Sequence, residues 1–326
     1  MQISIGIPTY NEEKNLPHLL KDLCAQDYPK DKIELVFADG CSRDGTRVLL
    51  ERFAQEENGF RQVVILENKK VWQAPAHNLI IENFTGDALI KVDAHASLPP
   101  DFISSCARRL ESEKVCGGPR PCITDSDAPA KRLLLTAESS MFGSGFAIYR
   151  RAEKPGYVSS VFHIACRREV FEKTGGYNET LRRTEDNEFS YRLRQNGCKI
   201  CYDPQIRSYQ LVRPTLSRML KQKAGNGYWI GLTLGVRPGC VSVFHLVPAA
   251  FVMGIILTVV LAALGVIWPI LVMWGAYLAA NILMSVMAVK GKPFYALELC
   301  LPVLFLLLHV SYGVGTLWGI ISIPFR

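Results

Sequence analysis

Two short acidic stations stand out by residue type and spacing: Asp93-Ala94-His95, and Glu185-Asp186 within Arg182-Arg183-Thr184-Glu185-Asp186-Asn187-Glu188-Phe189. Asp93 closes an apolar run, and His95 lies two residues on. In an extended segment that spacing puts both side chains on one side, an oxygen and a nitrogen donor for a divalent cation. The plainer reading is an Asp that caps a turn after a buried strand. Thr184 can open a helix whose apolar face carries Phe189 and Leu193. Acids in its first turn suit the helix dipole, and a carboxylate there can also take a proton from a hydroxyl. A third candidate is Asp39-Gly40-Cys41-Ser42-Arg43-Asp44-Gly45-Thr46, an Asp beside the backbone amides of a Gly-bearing turn. It is suited to accept from the N–H of a base such as uracil. The spaced glycines of GxGxxG and the GxxxxGK[ST] loop are both absent, which disfavours a dinucleotide fold and a P-loop ATPase.

The elements that must position these groups alternate from the start. Ile3–Ile7 reads as a strand, and Leu16, Leu19, Leu20 and Leu23 recur at helical spacing. A strand at 33–38 leads to a helix through Val48, Leu49 and Phe53, a strand at 63–66 to a helix at 76–83, and a fourth strand at 88–92 runs into Asp93. Alternation of this kind predicts an α/β fold, a mostly parallel sheet with helices on both faces. Ligands then bind off the carboxyl ends of the strands. Tyr10 and Glu12 follow the first strand, Asp39 the second and Asp93 the fourth, so their polar groups are expected to converge.

Composition changes near Cys240. Of 37 basic and 30 acidic residues, all but Lys290, Lys292, Arg326 and Glu298 precede residue 241, and the chain carries a net charge of +7. Three later stretches, at about 243–267, 270–289 and 299–321, each have the ~20 apolar residues needed to cross a bilayer. The alternative is a buried helical core domain. Trp268-Pro269 separates the first two as a tight hairpin, and the lysines of 290–295 place that connection in the cytoplasm. The N-terminal domain is then cytoplasmic, with Arg326 opposite. Residues 213–240, with Arg218, Lys221, Tyr228 and Trp229, read as an amphipathic interfacial helix or as an ordinary surface helix joining two domains. The ten cysteines include one CxxC pair, Cys198 and Cys201, with no second pair and no nearby His. Reduced, mostly buried thiols in a cytoplasmic compartment are therefore expected. Met1 leads directly into the first strand, so no secretory signal is expected.

Taken in order, Pro8-Thr9-Tyr10-Asn11-Glu12-Glu13, Ala38-Asp39-Gly40-Cys41-Ser42-Arg43-Asp44-Gly45-Thr46, Asp93-Ala94-His95 and the segment from Thr184 to Leu193 resemble the signatures of family 2 inverting glycosyltransferases with a GT-A fold. The likeness covers roughly residues 2–235. Asp93-Ala94-His95, Phe142-Gly143-Ser144-Gly145 and Cys166-Arg167-Arg168-Glu169-Val170-Phe171 narrow it to bacterial exopolysaccharide enzymes of the succinoglycan-biosynthesis type. The resemblance implies a GT-A domain at 1–212, which composition follows with a linker helix at 213–240 and a membrane domain at 241–326. Pro8, Tyr10, Glu12 and Asp39 would hold the nucleoside, and Asn78 would approach the donor. Asp93 and His95 would bind Mg2+ or Mn2+ and the donor diphosphate. Asp186 would be the catalytic base, with Glu185 beside it near the acceptor. The implied partners are a nucleotide sugar (a UDP-sugar), a lipid-linked acceptor and the bacterial inner membrane, with no nucleic acid.

This sequence departs from the family's pattern in places. His95 replaces the second Asp of the metal motif, Ala38 the first Asp of the turn, and His77 a frequent Arg. The QxxRW signature of processive synthases is absent after Gln222, which favours single sugar addition. A transferase that loads a sugar onto polyprenyl phosphate, a processive synthase and a non-catalytic sugar-nucleotide-binding protein are the remaining alternatives. Phe142 to Tyr149 and His163 are candidates for the sugar pocket wall.

Overall fold

The computed structural model describes residues 1–144, 153–293 and 295–325. Its first strands, β1 (Ile3–Thr9), β2 (Ile33–Asp39), β3 (Gln62–Glu67) and β4 (Ala88–Lys91), are parallel and lie in the order β3-β2-β1-β4. Every residue of β2 and β4 is buried, as expected for strands covered on both faces. Ile3 pairs with both Ile33 and Ala88, so the strands start level. Pro8 lies beyond Gly6↔Lys91, the last pair between β1 and β4, so its missing N–H removes no bond from that ladder.

Between these strands run α1 (Leu16–Cys24), α2 (Thr46–Gln55) and α3 (Gln73–Asn83). Leu16, Leu19, Leu20 and Leu23 bury one stripe of α1 against Ile3, Ile5 and Ile7. At ~1.5–3 kcal/mol for each fully buried aliphatic side chain, this stripe sets the register of helix on sheet.

The chain then builds β5 (Ala96–Ser97), α4 (Phe102–Leu110), β6 (Val115–Gly117), β7 (Cys122–Ile123), α5 (Pro129–Ser139), α6 (Met141–Ser144), β8 (Gly156–Val158), β9 (Ala165–Arg167), α7 (Arg168–Thr174), α8 (Glu185–Gln195), β10 (Ile200–Tyr202) and β11 (Tyr209–Leu211). β9 enters the large sheet antiparallel between β4 and β6, with Cys166 facing Leu89 on one side and Val115 on the other. Its direction brings the residues just ahead of it to the carboxyl end of β4. β10 runs parallel to β6 and closes with the edge strand β8.

Met1–Pro121 and Ala147–Gln210 form one compact unit, and Cys122–Phe146 and Leu211–Arg326 form another. A continuous domain to residue 212 was expected, yet 122–146 falls in the second unit. Leu134 and Ala137 of α5 share a core with Met219, Leu301, Leu304, Phe305 and Leu308. Phe142 packs on Phe305 and His309 in the same unit, and residues 145–149 of the suggested pocket wall lie outside the described residues.

The second unit continues with α9 (Leu216–Val236), α10 (Val243–Ala263), α11 (Trp268–Val289) and α12 (Leu301–Ile321). Three helical stretches, Val243–Ala263, Trp268–Val289 and Ala296–Ile321, are long and apolar enough to cross a membrane. Gly265, at φ +89°, ends the first, and Pro269 opens the second after a short turn, the expected tight hairpin. Arg326 lies outside the described residues. Among polar groups in the spans, the Asn281 amide donates to Pro302 O at 2.8 Å, and Tyr277 Oη and His309 Nδ1 are 3.0 Å apart.

The 213–240 segment differs from a one-faced interfacial helix. Arg218 and Lys221 are exposed, but Ile230, Gly231, Leu232 and Thr233 are buried in succession. Lys223 is also buried, pairing with Glu138 at 2.8 Å. The second half of α9 packs along α12, where a Cβ on Gly227 would overlap Tyr312 O and one on Gly319 would overlap Tyr228 O. Small residues permit this approach of two backbones. Gly319→Val is therefore expected to lower stability by ~1–3 kcal/mol through overpacking. Gly275→Val, with nothing within 4 Å, serves as the control; thermal unfolding in detergent should show a lower midpoint for the first variant alone.

Candidate active site

The carboxyl ends of β1 and β2 are laced together by their turns. Asn11 Oδ1 accepts from Arg43 N at 2.8 Å, Asn11 N donates to Ser42 Oγ at 2.9 Å, and Glu12 N donates to Thr46 Oγ1 at 2.7 Å. Asp39 is buried, and Ser42 binds it through both Oγ (2.6 Å) and N (3.3 Å). Tyr10 stands half-exposed beside Gly40, where a Cβ would come within 2.9 Å of Val71 O and 3.3 Å of the Tyr10 ring. Asn11, Cys41 and Val71 follow the first three strands, and all three have positive φ. For Val71, a β-branched residue, this is a strained conformation, the kind found at ligand-binding edges.

At the end of β4, Asp93 is nearly buried. Arg120 bonds one of its oxygens, His163 Nε2 lies 3.5 Å from the same oxygen, and Gln73 Nε2 donates to the other at 3.3 Å. Burial alone would raise the pKa of this carboxyl. The His163 hydrogen bond and the charges of Arg120, His163 and Lys91 outweigh it and hold Asp93 well below the usual carboxylate range. His163 is fixed from behind by Ser208 Oγ, 2.8 Å from Nδ1. Arg120 lies across the Phe162 ring, 4.0 Å from its centroid. His95 Nδ1 turns to Glu12 Oε1 at 3.1 Å, which links the first strand's turn to the fourth.

Lys91, two residues before Asp93, is a charged side chain only 7% exposed inside an apolar strand. Its ammonium lies 3.7 Å from Asp186 Oδ2 and 5.6 Å from the centre of the Tyr177 ring. Burial alone would lower its pKa, but Asp186, Tyr177, Asp93 and Glu185 together raise it above the ordinary lysine value. Both acidic stations thus converge on one buried cation. Asp186 is 34% exposed, whereas Glu185 is buried and its Oε2 has no hydrogen-bond partner among the described residues. Burial first, then the Asp186 charge, push the Glu185 carboxyl up to about 8, with Lys91 opposing. Glu185 therefore holds its proton at neutral pH, and Asp186 is the carboxylate a substrate can reach.

This has a consequence for stability. The unfolded chain ionises Glu185 near its ordinary value of 4.5, while the folded chain resists ionisation until about 8. Neutral Glu185 is tolerated fully at low pH, and that advantage is lost as pH rises from about 4.5 through 8. Glu185→Gln should remove the loss, so its stability relative to the parent chain should improve by a few kcal/mol between pH 5 and 8. Thermal melts at the two pH values measure this, and parallel curves would contradict the buried, neutral Glu185.

Asn78 is employed elsewhere. Its Oδ1 accepts from Tyr177 N at 2.6 Å, while Nδ2 donates to Tyr177 O at 2.9 Å and Glu179 Oε1 at 3.1 Å. It fastens the turn ahead of α8 and has no donor hydrogen left for a nucleotide. Lys91, Arg120, Gln73 and Tyr177 were not singled out by the sequence. A lysine in the otherwise apolar run 88–92 was the one available signal.

A divalent cation can be tested against these donors. Among the described residues no group of three or more His, Cys, Asp or Glu side chains is disposed to hold a metal. The candidate donors from the sequence are the Asp93 carboxylate and the His95 imidazole. Asp93 Oδ2 faces Arg120 and His163 and His95 Nδ1 faces Glu12, so two such donors would need substrate phosphates and water to complete the coordination of an ion.

The model of the family described as glycosyl transferase family 2 matches residues 4–175. The chain belongs to glycosyl transferase family 2. It is 27% identical over 327 residues to a Methanococcus voltae dolichyl N-acetyl-alpha-D-glucosaminyl phosphate 3-beta-D-2,3-diacetamido-2,3-dideoxy-beta-D-glucuronosyltransferase, covering 98% of this chain and 97% of that protein. To the succinoglycan biosynthesis protein ExoA of Rhizobium meliloti it is 29% identical over 228 residues, 68% of this chain and 67% of that one. Its fold is shared with the mannosyltransferase PcManGT from Pyrobaculum calidifontis, solved with GDP-Man and Mn2+, at a TM-score of 0.64 and 19% identity over 97% of this chain and 87% of that one. The family 2 glycosyltransferase thus pairs a GT-A-like sheet with C-terminal helices suited to a membrane.

Proposed function

We propose that this chain moves a single sugar, with inversion, from a UDP-sugar to a lipid-linked saccharide at the cytoplasmic face of the inner membrane, in exopolysaccharide or cell-surface glycan synthesis. The observation that carries the reading is the meeting of Asp186 and the Asp93-bearing strand at buried Lys91. The Methanococcus and Rhizobium relatives, named for a dolichyl-linked acceptor and for succinoglycan synthesis, support the substrate class. Three membrane-capable helices support an acceptor that stays at the bilayer.

Pro8, Tyr10, Glu12 and Asp39 line the nucleoside end. Asp93 and His95 would hold a Mg2+ or Mn2+ ion, whose chemistry when bound is to neutralise charge on the departing diphosphate. Asp186 accepts the proton of the acceptor hydroxyl as its oxygen attacks the anomeric carbon. The bond to the diphosphate breaks on the opposite side, so configuration inverts. Lys91 holds Asp186 in place for that attack, and neutral Glu185 adds no second negative charge beside it. The neighbouring reading, a polyprenyl-phosphate sugar transferase, draws support from an undecaprenyl-phosphate 4-deoxy-4-formamido-L-arabinose transferase of Shewanella sediminis, 37% identical over 113 residues. Product analysis separates the two. Activity with a polyprenyl-diphosphate-linked saccharide, and at least ~10-fold less with the same free saccharide, is the expected result. Equal rates with both would overturn the lipid-linked assignment.

A further inference from the structure

The rim between the two stations carries a cation that the mechanism above does not use. Arg182 lies three residues before Glu185, and its guanidinium sits over the Trp72 ring at 3.7 Å from the centroid. Trp72 immediately precedes Gln73, whose amide reaches Asp93. Their contact therefore joins the segment leading to Asp186 with the segment leading to Asp93. Two further ties hold these segments together: Lys70 Nζ to Glu179 at 2.6 Å, and Asn78 to the Tyr177 backbone. Arg120 pairs with Asp93 and Arg192 with Glu188. Arg182 has no carboxylate partner among the described residues, and Trp72 remains 45% exposed.

A planar guanidinium laid on an indole keeps its N–H edge outward, the arrangement that binds carboxylate or phosphate in bidentate fashion. The exposed indole beside it offers an apolar platform for a sugar ring. The geometry points to Arg182 and Trp72 as a subsite for an oxyanion carried by one of the two sugar substrates. The oxyanion is a carboxylate on the transferred sugar or the phosphate linking the acceptor sugar to its lipid. The assignment rests on the transferase reading above and adds the charge of the group that is recognised. Glu179 is engaged by Lys70 and Asn78 and, among the described residues, forms no ion pair with Arg182.

The test uses the full chain in detergent or lipid, with whichever nucleotide sugar and polyprenyl-linked acceptor support turnover. KM for each substrate and kcat are compared for the parent chain, Arg182→Gln, Arg182→Lys and Trp72→Leu. The expected result is a rise of ~10–100-fold in one KM with Arg182→Gln, the size of a lost charge-assisted bond. kcat should stay within about threefold, Arg182→Lys should recover part of the loss, and Trp72→Leu should shift the same KM less. A shift in donor KM assigns the oxyanion to the transferred sugar, and a shift in acceptor KM assigns it to the lipid-linked phosphate. Unchanged KM values, or a fall in kcat alone that lysine does not rescue, would overturn the subsite and leave a mere clasp. A parent chain that transfers no sugar from any nucleotide donor would overturn the transferase reading and the subsite with it. One that transfers normally while Arg182→Gln is silent overturns the subsite alone.

Discussion

Asp186→Asn is expected to lower turnover by roughly 10²–10⁴-fold, the contribution of a positioned general base, while UDP binding stays close to that of the parent chain. Asparagine keeps the shape of the first turn of α8 but cannot accept the hydroxyl proton. It also removes the carboxylate 3.7 Å from Lys91, a buried ammonium that then loses its nearest counter-charge. Some loss of stability accompanies the change, which is why nucleotide binding by calorimetry must be measured alongside turnover. Retained binding with collapsed turnover assigns proton transfer to Asp186. Near-normal turnover would remove it from that role.

Asp93→Ala is expected to act on the donor side. It removes a carboxylate that its surroundings hold ionised, and leaves Arg120 and His163 without their shared partner. An uncompensated buried charge costs ~3–5 kcal/mol, so a lower melting point is expected too. The informative quantity is the gain in nucleotide-sugar affinity on adding Mn2+. That gain should disappear in Asp93→Ala, and Asp93→Asn should behave alike with less structural loss. A metal response equal to that of the parent chain would take Asp93 out of the donor site.

Much of the site's frame could be read before any coordinates. Short apolar runs located β1 to β4, helical spacing of leucines located α1, and the segments between the later runs located α2 and α3. The strand ends then pointed to Tyr10, Glu12, Asp39 and Asp93, and the structure joins the first and fourth of these turns through Glu12 and His95. The three apolar spans were equally clear, differing from α10, α11 and α12 by a few residues at their ends. What stayed hidden was short or non-local. β9 is only three residues long, and its antiparallel insertion beside β4 is what delivers His163 to Asp93. Arg120 follows β6, again three residues, too short to show a period. Lys91 was visible as a charge in an apolar strand, but its partner lies 95 positions away in α8. Local sequence likewise does not show that the Asn78 amide is engaged by the Tyr177 backbone. The attachment of 122–146 to the membrane-helix unit depends on α5 meeting Leu304, Phe305 and Leu308, far along the chain.

Nuclear magnetic resonance of the transferred sugar's anomeric proton, with a donor of defined configuration, tests the central claim most directly. In-line displacement by a hydroxyl activated at Asp186 predicts a product of opposite anomeric configuration, formed by the parent chain and at least ~100-fold more slowly by Asp186→Asn. A product that retains the donor's configuration would contradict the account.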